Sequence, residues 1–382
     1  MKIAIDSAAL GSKFRHMGIY VYAQNLISQF RGMDGESQGI EFCVFNYPGF
    51  ANDANLLQPG GSVSLSSSKW LRHERLWKLG GASRAAAGVG ADLLFLPTIS
   101  TAPVGNIPIV CTIHDVTPVI VPSHSARVTL VQRALLWSLA RFARAIITVS
   151  QCSKHDLIVT YGLPEHKVSV VYQGYDKSIF DDAAANPELQ GNLRQRLGIG
   201  ESYIVHHGVI QPRKNLKRLI EAYRMMLERN RNLPTDLVLA GPLGWRYAEV
   251  LAAAKADAGS KGRVILTGAL ADTDLALLLK GAALAVIPSV YEGFCLPMVE
   301  AMACGTPTIA SRSSCLPEIS GGVLSYFDPY SLDEMAATMQ QVLEDQGLQR
   351  RLARDGKQRA SGFSWQQCGR ETIEILKRHG NL

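Results

Sequence analysis

Short apolar runs separated by stretches of helical period recur from one end of this chain to the other, and few folds tolerate that pattern. A strand covered on both faces reads as a continuous apolar run, and parallel neighbours need a long crossover between them. Such runs stand at 2–6, 40–46, 92–96, 108–113, 145–149 and 168–172, and again at 203–207, 236–240, 263–267, 284–288, 307–310 and 323–326. Helical patterns fall at 18–30, 127–142, 214–229, 245–257, 273–281 and 298–304. The alternation predicts βαβ units and an α/β chain with parallel sheets. At 382 residues, two doubly wound domains are expected. The polar, aperiodic segment 181–192 marks the expected linker, giving domains of 1–182 and 183–363, with a last helix from 364 that docks on one of them. Two such domains joined once leave a cleft at the carboxyl ends of their strands, where ligands bind in sheets of this kind.

Composition narrows the function classes. A hydrophobic content of 47% and a charged content of 19% belong to an ordinary globular protein. The net charge of +6 is spread over both halves, which excludes a basic nucleic-acid domain. Seven cysteines (43, 111, 152, 295, 304, 315, 368) are dispersed and odd in number, without a C-x-x-C pair. That argues against a disulfide framework or zinc site and for a reducing compartment. No signal segment precedes the strand from Lys2 to Asp6, and no apolar run reaches the roughly 18 residues of a membrane span. A cytoplasmic protein, in solution or peripheral on a membrane, is expected.

Glu292 and Glu300 stand eight residues apart in Tyr291-Glu292-Gly293-Phe294-Cys295-Leu296-Pro297-Met298-Val299-Glu300. Gly293 interrupts regular structure, and Pro297 suits the start of a helix. Glu292 is therefore expected on a loop and Glu300 about one turn into the helix. The unpaired amides between them can receive a polyphosphate, and the carboxylates can accept from hydroxyls. The unit reads as a holder for a sugar–diphosphate. Gln211-Pro212-Arg213-Lys214-Asn215 follows the strand 203–207 and opens a helix. Cations there oppose the helix dipole unless an anion joins them, although a solvated charge pair is the commoner meaning of an isolated Arg-Lys.

Other positions balance a functional against a structural meaning. His114 ends the strand 108–113, where it faces the expected cleft or is a satisfied half-buried residue. Gly11 to Gly18 joins the first strand to the first helix, without the G-x-G-x-x-G fingerprint or a Walker lysine. Asp272-Thr273-Asp274 resembles a D-x-D metal motif, but its place at a helix start makes capping the expectation and no metal is predicted. The basic amphipathic stretch from Lys69 to Leu79, with Trp70 and Trp77, either lies on a membrane or packs on its own domain. The arginines of 127–144 pose the same choice.

With these residues in view, the chain resembles the retaining sugar-nucleotide glycosyltransferases of family 4, with the GT-B architecture of two Rossmann-like domains facing across a cleft. The resemblance runs through Ala4-Ile5-Asp6, Thr112-Ile113-His114-Asp115, Ile147-Thr148-Val149-Ser150, Lys167 to Gly174, Pro212-Arg213-Lys214-Asn215-Leu216, Val264 to Gly268 and the Glu292–Glu300 block. Phe363-Ser364-Trp365 resembles the entry to the family's last helix, which crosses back to the first domain. The resemblance implies that Arg213 and Lys214 bind the donor diphosphate, aided by the amides of Phe294, Cys295 and Leu296. Glu300 would hold the ribose hydroxyls, Glu292 a hydroxyl of the transferred sugar, and Leu270 would border the nucleobase. His114 would touch the donor sugar, and Gly18 the phosphates or acceptor. Here Gly18-Ile19 is followed by Tyr20 and not by the family's second glycine, which narrows the backbone's approach on the acceptor side.

The first half is most similar to bacterial O-antigen and exopolysaccharide mannosyltransferases. That makes GDP-mannose the expected donor, with UDP-hexoses the alternative, and a glycan or polyprenyl-linked glycan the acceptor. The resemblance implies retention of configuration; no carboxylate nucleophile is evident, so a front-face route is expected, and Arg213 with Lys214 is expected to supply the positive charge without metal or other cofactor. Three competing readings share the architecture: a phosphorylase needing pyridoxal phosphate, a nucleotide-sugar 2-epimerase, and an inactive partner in a glycan-assembly complex.

Overall fold

The computed structural model describes residues 1–10, 17–32, 39–45, 63–66, 76–121, 125–181, 187–230, 235–255 and 262–380. The chain forms two compact units, Met1–Gly174 with Ser364–Leu382, and Tyr175–Phe363. The passage from the first to the second falls at Gly174–Tyr175, earlier than the expected 182/183 boundary. The second half of the expected linker is instead helical: Pro187 opens the helix Pro187–Leu197. Polarity there marks an exposed helix face, and a proline at the first helical position costs no hydrogen bond.

The first unit holds β1 (Lys2–Asp6), β2 (Glu41–Phe45), β3 (Val63–Ser66), β4 (Leu93–Leu96), β5 (Ile109–Thr112), β6 (Ala145–Thr148) and β7 (Val168–Val170). They form one sheet in the order β3-β2-β1-β4-β5-β6-β7, with every pairing parallel. Six strands are expected from the sequence, so β3 is an addition. Its Val-Ser-Leu-Ser sequence lacks the apolar continuity of a central strand, as suits an edge.

The second unit holds β8 (Tyr203–His207), β9 (Asp236–Ala240), β10 (Val264–Gly268), β11 (Leu284–Ile287), β12 (Thr308–Ser311) and β13 (Ser325–Phe327). Their order is β10-β9-β8-β11-β12-β13, again all parallel. The strand order reverses between β8 and β11, so the connections leaving these two neighbours depart to opposite faces. That opening at the carboxyl edge is where a doubly wound sheet admits a ligand. Beneath it, Ile204, Leu237, Leu239, Leu284, Val286 and Ile309 pack with Leu219, Tyr223 and Met226 of the helix Leu216–Arg229.

The last helix, Trp365–Gly380, belongs to the first unit. The Trp365 ring lies 6.2 Å from Tyr22 of the helix Gly18–Gly32. Gly174 is pressed so closely on the start of this helix that a Cβ there would come within 2.1 Å of the Trp365 backbone nitrogen. Among the described residues no helix is long and apolar enough to cross a membrane.

Candidate functional site

The site grows from two loops that leave β8 and β11 on either side of the switch point. After β8 the chain passes through Gly208 (φ 128°), a short 3-10 turn Pro212–Lys214, and Asn215 in the left-handed region (φ 59°). Asn215 is pinned there because its amide donates to Pro288 O (3.1 Å) and Pro329 O (2.7 Å), on the loops after β11 and β13. The Val290 amide donates to Arg213 O at 2.9 Å, which ties the two site loops together. Side-chain amide bonds to buried carbonyls offset the cost of the unusual backbone and fix where Arg213 and Lys214 emerge.

After β11 the loop carries Glu292, whose amide donates to Ser314 Oγ at 2.9 Å, and then Cys295, left-handed at φ 73°. The helix Leu296–Ala303 begins immediately afterwards, with Pro297 at its second position and no side-chain cap. A helix cannot satisfy its own leading amides, so the Leu296 end presents donors and the positive end of the dipole. Glu300 lies one turn in, as expected.

Arg213, Lys214 and Glu292 meet directly. Lys214 Nζ is 2.7 Å from Glu292 Oε1, and Arg213 Nη1 binds Glu292 Oε2 and also Tyr291 O at 3.2 Å. The side chains of Lys214 and Glu292 are 4% and 5% exposed, and that of Arg213 is 20% exposed. Burial alone would push the Glu292 carboxyl up, but Arg213 and Lys214 outweigh it and hold the group down at about 2. The cluster thus carries two positive charges and one negative. Glu292, expected to meet a sugar hydroxyl, is here the counter-ion of both cations.

Glu300 has a partner that sequence reasoning missed. His207, buried at the end of β8, places Nε2 2.9 Å from Glu300 Oε2. The signal was available, since a histidine at a strand's carboxyl end is the reason His114 stood out. Its neighbour His206 gives Nδ1 to Val286 O at 2.9 Å and is held near 3, chiefly by burial and then by Lys214, so its ring is neutral. The Cys295 thiol is buried, and burial with the Glu292 charge pushes it up to about 12, so it is no nucleophile. Phe294 packs edge-on to Phe363 at 5.3 Å. Leu270 follows β10 at the edge of the sheet, two strands from β8. A cavity of about 310 Å³ adjoins Gln211, Pro212 and Asn215 and is lined also by Arg218 and Arg246.

His114 and Gly18 lie on the first unit. Gly18 is the exposed first residue of its helix, and Tyr20, at the family's second glycine, is buried within it. Both ring nitrogens of His114 are engaged: Nε2 with Pro97 O at 3.1 Å and Nδ1 with the Gln173 amide at 3.2 Å. Pro97 O can only accept, so Nε2 carries a proton, and Nδ1 accepts from the Gln173 amide NH2, which makes the ring neutral. Burial lowers its pKa further.

One expectation is corrected and one open choice is decided. Ala271, not Asp272, precedes the helix Asp272–Gly281, and no side chain caps it. Asp274 instead pairs with Arg196 at 2.6 Å, and both acids complement the dipole from the first turn. Trp77 is no membrane anchor: it is 2% exposed, its indole donates to Asp6 Oδ1 at 3.1 Å, and it packs on Phe45. Trp70 lies outside the described residues, as do 11–16 of the first turn and 182–186 of the expected linker.

Two doubly wound parallel units in one chain, with basic and acidic side chains gathered at the switch point of the second, are the architecture of the GT-B class. The family model for "Glycosyl transferases group 1" matches residues 190–359, and that for "Glycosyltransferase Family 4" matches residues 18–178. The chain belongs to this glycosyltransferase family. It is 31% identical to the O-antigen chain mannosyltransferase B of Escherichia coli over 271 residues, 70% of each chain. It is 29% identical to the serotype-specific mannosyltransferase WbdA of Escherichia coli over 289 residues, a match of 72% of this chain but 34% of that longer protein. The fold is that of Anabaena Alr3699/HepE, solved with UDP-glucose, at a TM-score of 0.73 and 21% identity over 99% of this chain and all of that one.

Proposed function

We propose that the chain is a retaining, metal-independent hexosyltransferase that moves mannose from GDP-mannose to a glycan or polyprenyl-linked acceptor in the assembly of a bacterial surface polysaccharide. The observation that carries this is the buried Arg213–Lys214–Glu292 cluster beside the amides that open the helix Leu296–Ala303. Breaking the bond from anomeric carbon to phosphate builds negative charge on the leaving diphosphate. Two fixed cations and a helix N-terminus stabilise that charge without a divalent ion. Glu300, oriented by His207, takes the ribose hydroxyls. Glu292 serves first as counter-ion and then accepts from a hydroxyl of the sugar as the diphosphate takes up the cations. In the first unit, the neutral His114 is assigned to a sugar hydroxyl through the Nε2 proton that Pro97 O now receives. Gly18 and Leu270 are assigned to the phosphate or acceptor side and to the nucleobase. The mannosyl donor is supported by the names of the two Escherichia coli relatives.

A panel of GDP- and UDP-sugars tests this reading through melting point and turnover with EDTA present. GDP-mannose should give the largest upward shift and transfer to a mannan acceptor, and the product anomer by NMR should match the donor. A larger response to a UDP-hexose would replace the donor, consumption without any acceptor would indicate an epimerase, and binding without turnover an inactive partner.

A further inference from the structure

The cavity of about 310 Å³ beside Gln211 and Asn215 has a ligand chemistry of its own. It opens between the helices Leu216–Arg229 and Ala248–Lys255, which pack together and carry the chain from β8 to β9 and from β9 to β10. Glu300 stands instead on the helix Leu296–Ala303, which packs with Asp272–Gly281. The connections from β8 and from β11 run to opposite sides in the strand order, so right-handed crossovers put these two helix pairs on opposite faces of the sheet. The cavity meets the donor site only through the loop that leaves β8.

Its mouth is fixed by two loops. The Ile210 amide donates to Pro242 O at 2.9 Å and the Gly244 amide to Ile210 O at 3.0 Å. A Cβ on Gly244 would come within 2.6 Å of Val209 Cγ1, so the loop after β9 lies tight on the loop after β8. Arg246 then takes the left-handed region at φ 53°, an uncommon conformation for a residue with a Cβ and one that collects at functional sites. On either side of it Trp245 is 38% exposed and Tyr247 39%. Tyr330, 65% exposed, has its ring 5.4 Å from the Arg218 guanidinium and follows Pro329, whose carbonyl holds Asn215.

Charge selects the ligand. The cations of the cavity wall already have partners: Arg246 pairs with Glu249 at 2.9 Å, Lys217 with Glu221 at 4.0 Å, and Arg218 Nη1 donates to Asn215 Oδ1 at 3.1 Å. A phosphate or carboxylate would have to displace these groups. A hydroxyl both donates and accepts, so it can join such pairs without breaking them. Exposed indole and phenol rings add flat apolar faces at low cost in side-chain entropy, which suit the C–H faces of a pyranose. The volume lies at the lower end of small-molecule pockets, as suits a short stretch of a chain that continues over the surface.

We propose that this cavity binds a neutral hexose glycan and holds a stretch of the growing chain away from its reacting end, with Trp245 and Tyr330 as platforms and the Arg246–Glu249 and Lys217–Glu221 pairs on its hydroxyls. The identity of the glycan rests on the transferase reading above; the binding itself uses no residue of the Arg213–Lys214–Glu292 site. Isothermal titration of the full chain with α-linked mannohexaose, without donor, tests it. Wild type should bind the hexaose, and saturating GDP should not displace it. Trp245→Ala and Tyr330→Ala should each weaken binding about tenfold while keeping the wild-type melting point, since both side chains face solvent. In transfer assays each variant should raise the KM for mannohexaose about tenfold and leave kcat, the donor KM and the KM for the short acceptor mannobiose unchanged, a split that a merely structural role would not produce. Undiminished binding of the hexaose in both variants, or an equal rise in KM for the short and long acceptors, would overturn the proposal. So would displacement by GDP, which would make the cavity part of the nucleotide pocket, or competition by inorganic phosphate, which would make it an anion site. Binding of the hexaose without turnover of GDP-mannose would leave this site standing and count against the donor assignment alone.

Discussion

Replacing Glu292 with Gln removes the only negative charge from a buried triad and keeps its shape. Lys214, whose side chain is 4% exposed, then has no acid beside it among the described residues, while Arg213 retains Tyr291 O and partial solvent. Removing one member of a buried charge pair costs about 3–5 kcal/mol, because the partner is left uncompensated. At roughly 2–4 °C per kcal/mol for a unit of this size, Glu292→Gln should melt about 6–20 °C below wild type, toward the lower end because Gln still accepts a hydrogen bond. Nucleoside diphosphate should reverse the loss. Its phosphates supply the missing negative charge and no longer meet a carboxylate, so the rise in melting point with saturating GDP or UDP should be larger in Glu292→Gln than in wild type. The sign with pH follows from the depressed carboxyl. Wild-type stabilisation by Glu292 is complete above its ordinary value of 4.5 and fades as pH falls through about 2, so the gap between the proteins should close over that window. Differential scanning fluorimetry with and without nucleotide reads all three effects. Equal melting points, or equal nucleotide shifts in both proteins, would refute the counter-ion argument.

Three further outcomes are expected. Lys214→Ala should lower kcat/KM for transfer about a hundredfold or more, by loss of ~3 kcal/mol of charge stabilisation on the leaving group, with far-ultraviolet dichroism unchanged; near-normal turnover would exclude the residue from the chemistry. His207→Val releases Glu300 from its 2.9 Å contact and should raise the donor KM about tenfold while kcat changes little, as steady-state kinetics would show. Gly174→Ala sets a Cβ against the Trp365 backbone, and chemical denaturation should find at least ~2 kcal/mol of lost stability; a neutral result would show that the last helix can shift without cost.

What the sequence made legible was whatever depends on local order. Continuous apolar runs located twelve of the strands, and Pro212 to Asn215 with the Glu292–Glu300 spacing located the loops that converge at the switch point. β3 escaped because its serines break the apolar run, and a covered central strand is the pattern that periodicity detects. The unit boundary escaped because polarity reports exposure and not passage between units: Pro187 and Glu188 open an exposed helix, whereas the passage at Gly174 is marked only by a glycine under the last helix. Partners distant in sequence were invisible by nature. Glu292 meets Arg213 and Lys214 across 79 and 78 residues, and His207 meets Glu300 across 93. Each residue could be nominated alone, but only the sheet order puts β8 beside β11 and so turns three candidates into one charged cluster.

The central claim is that the donor's diphosphate rests on Arg213, Lys214 and the leading amides of the helix Leu296–Ala303. A crystal structure with nucleoside diphosphate bound tests it most directly. The account predicts phosphate oxygens within about 3 Å of Lys214 Nζ, the Arg213 guanidinium and the Cys295 and Leu296 amides, in crystals grown with EDTA. Phosphates bound away from these groups, or ordered only when a divalent cation is added, would contradict it.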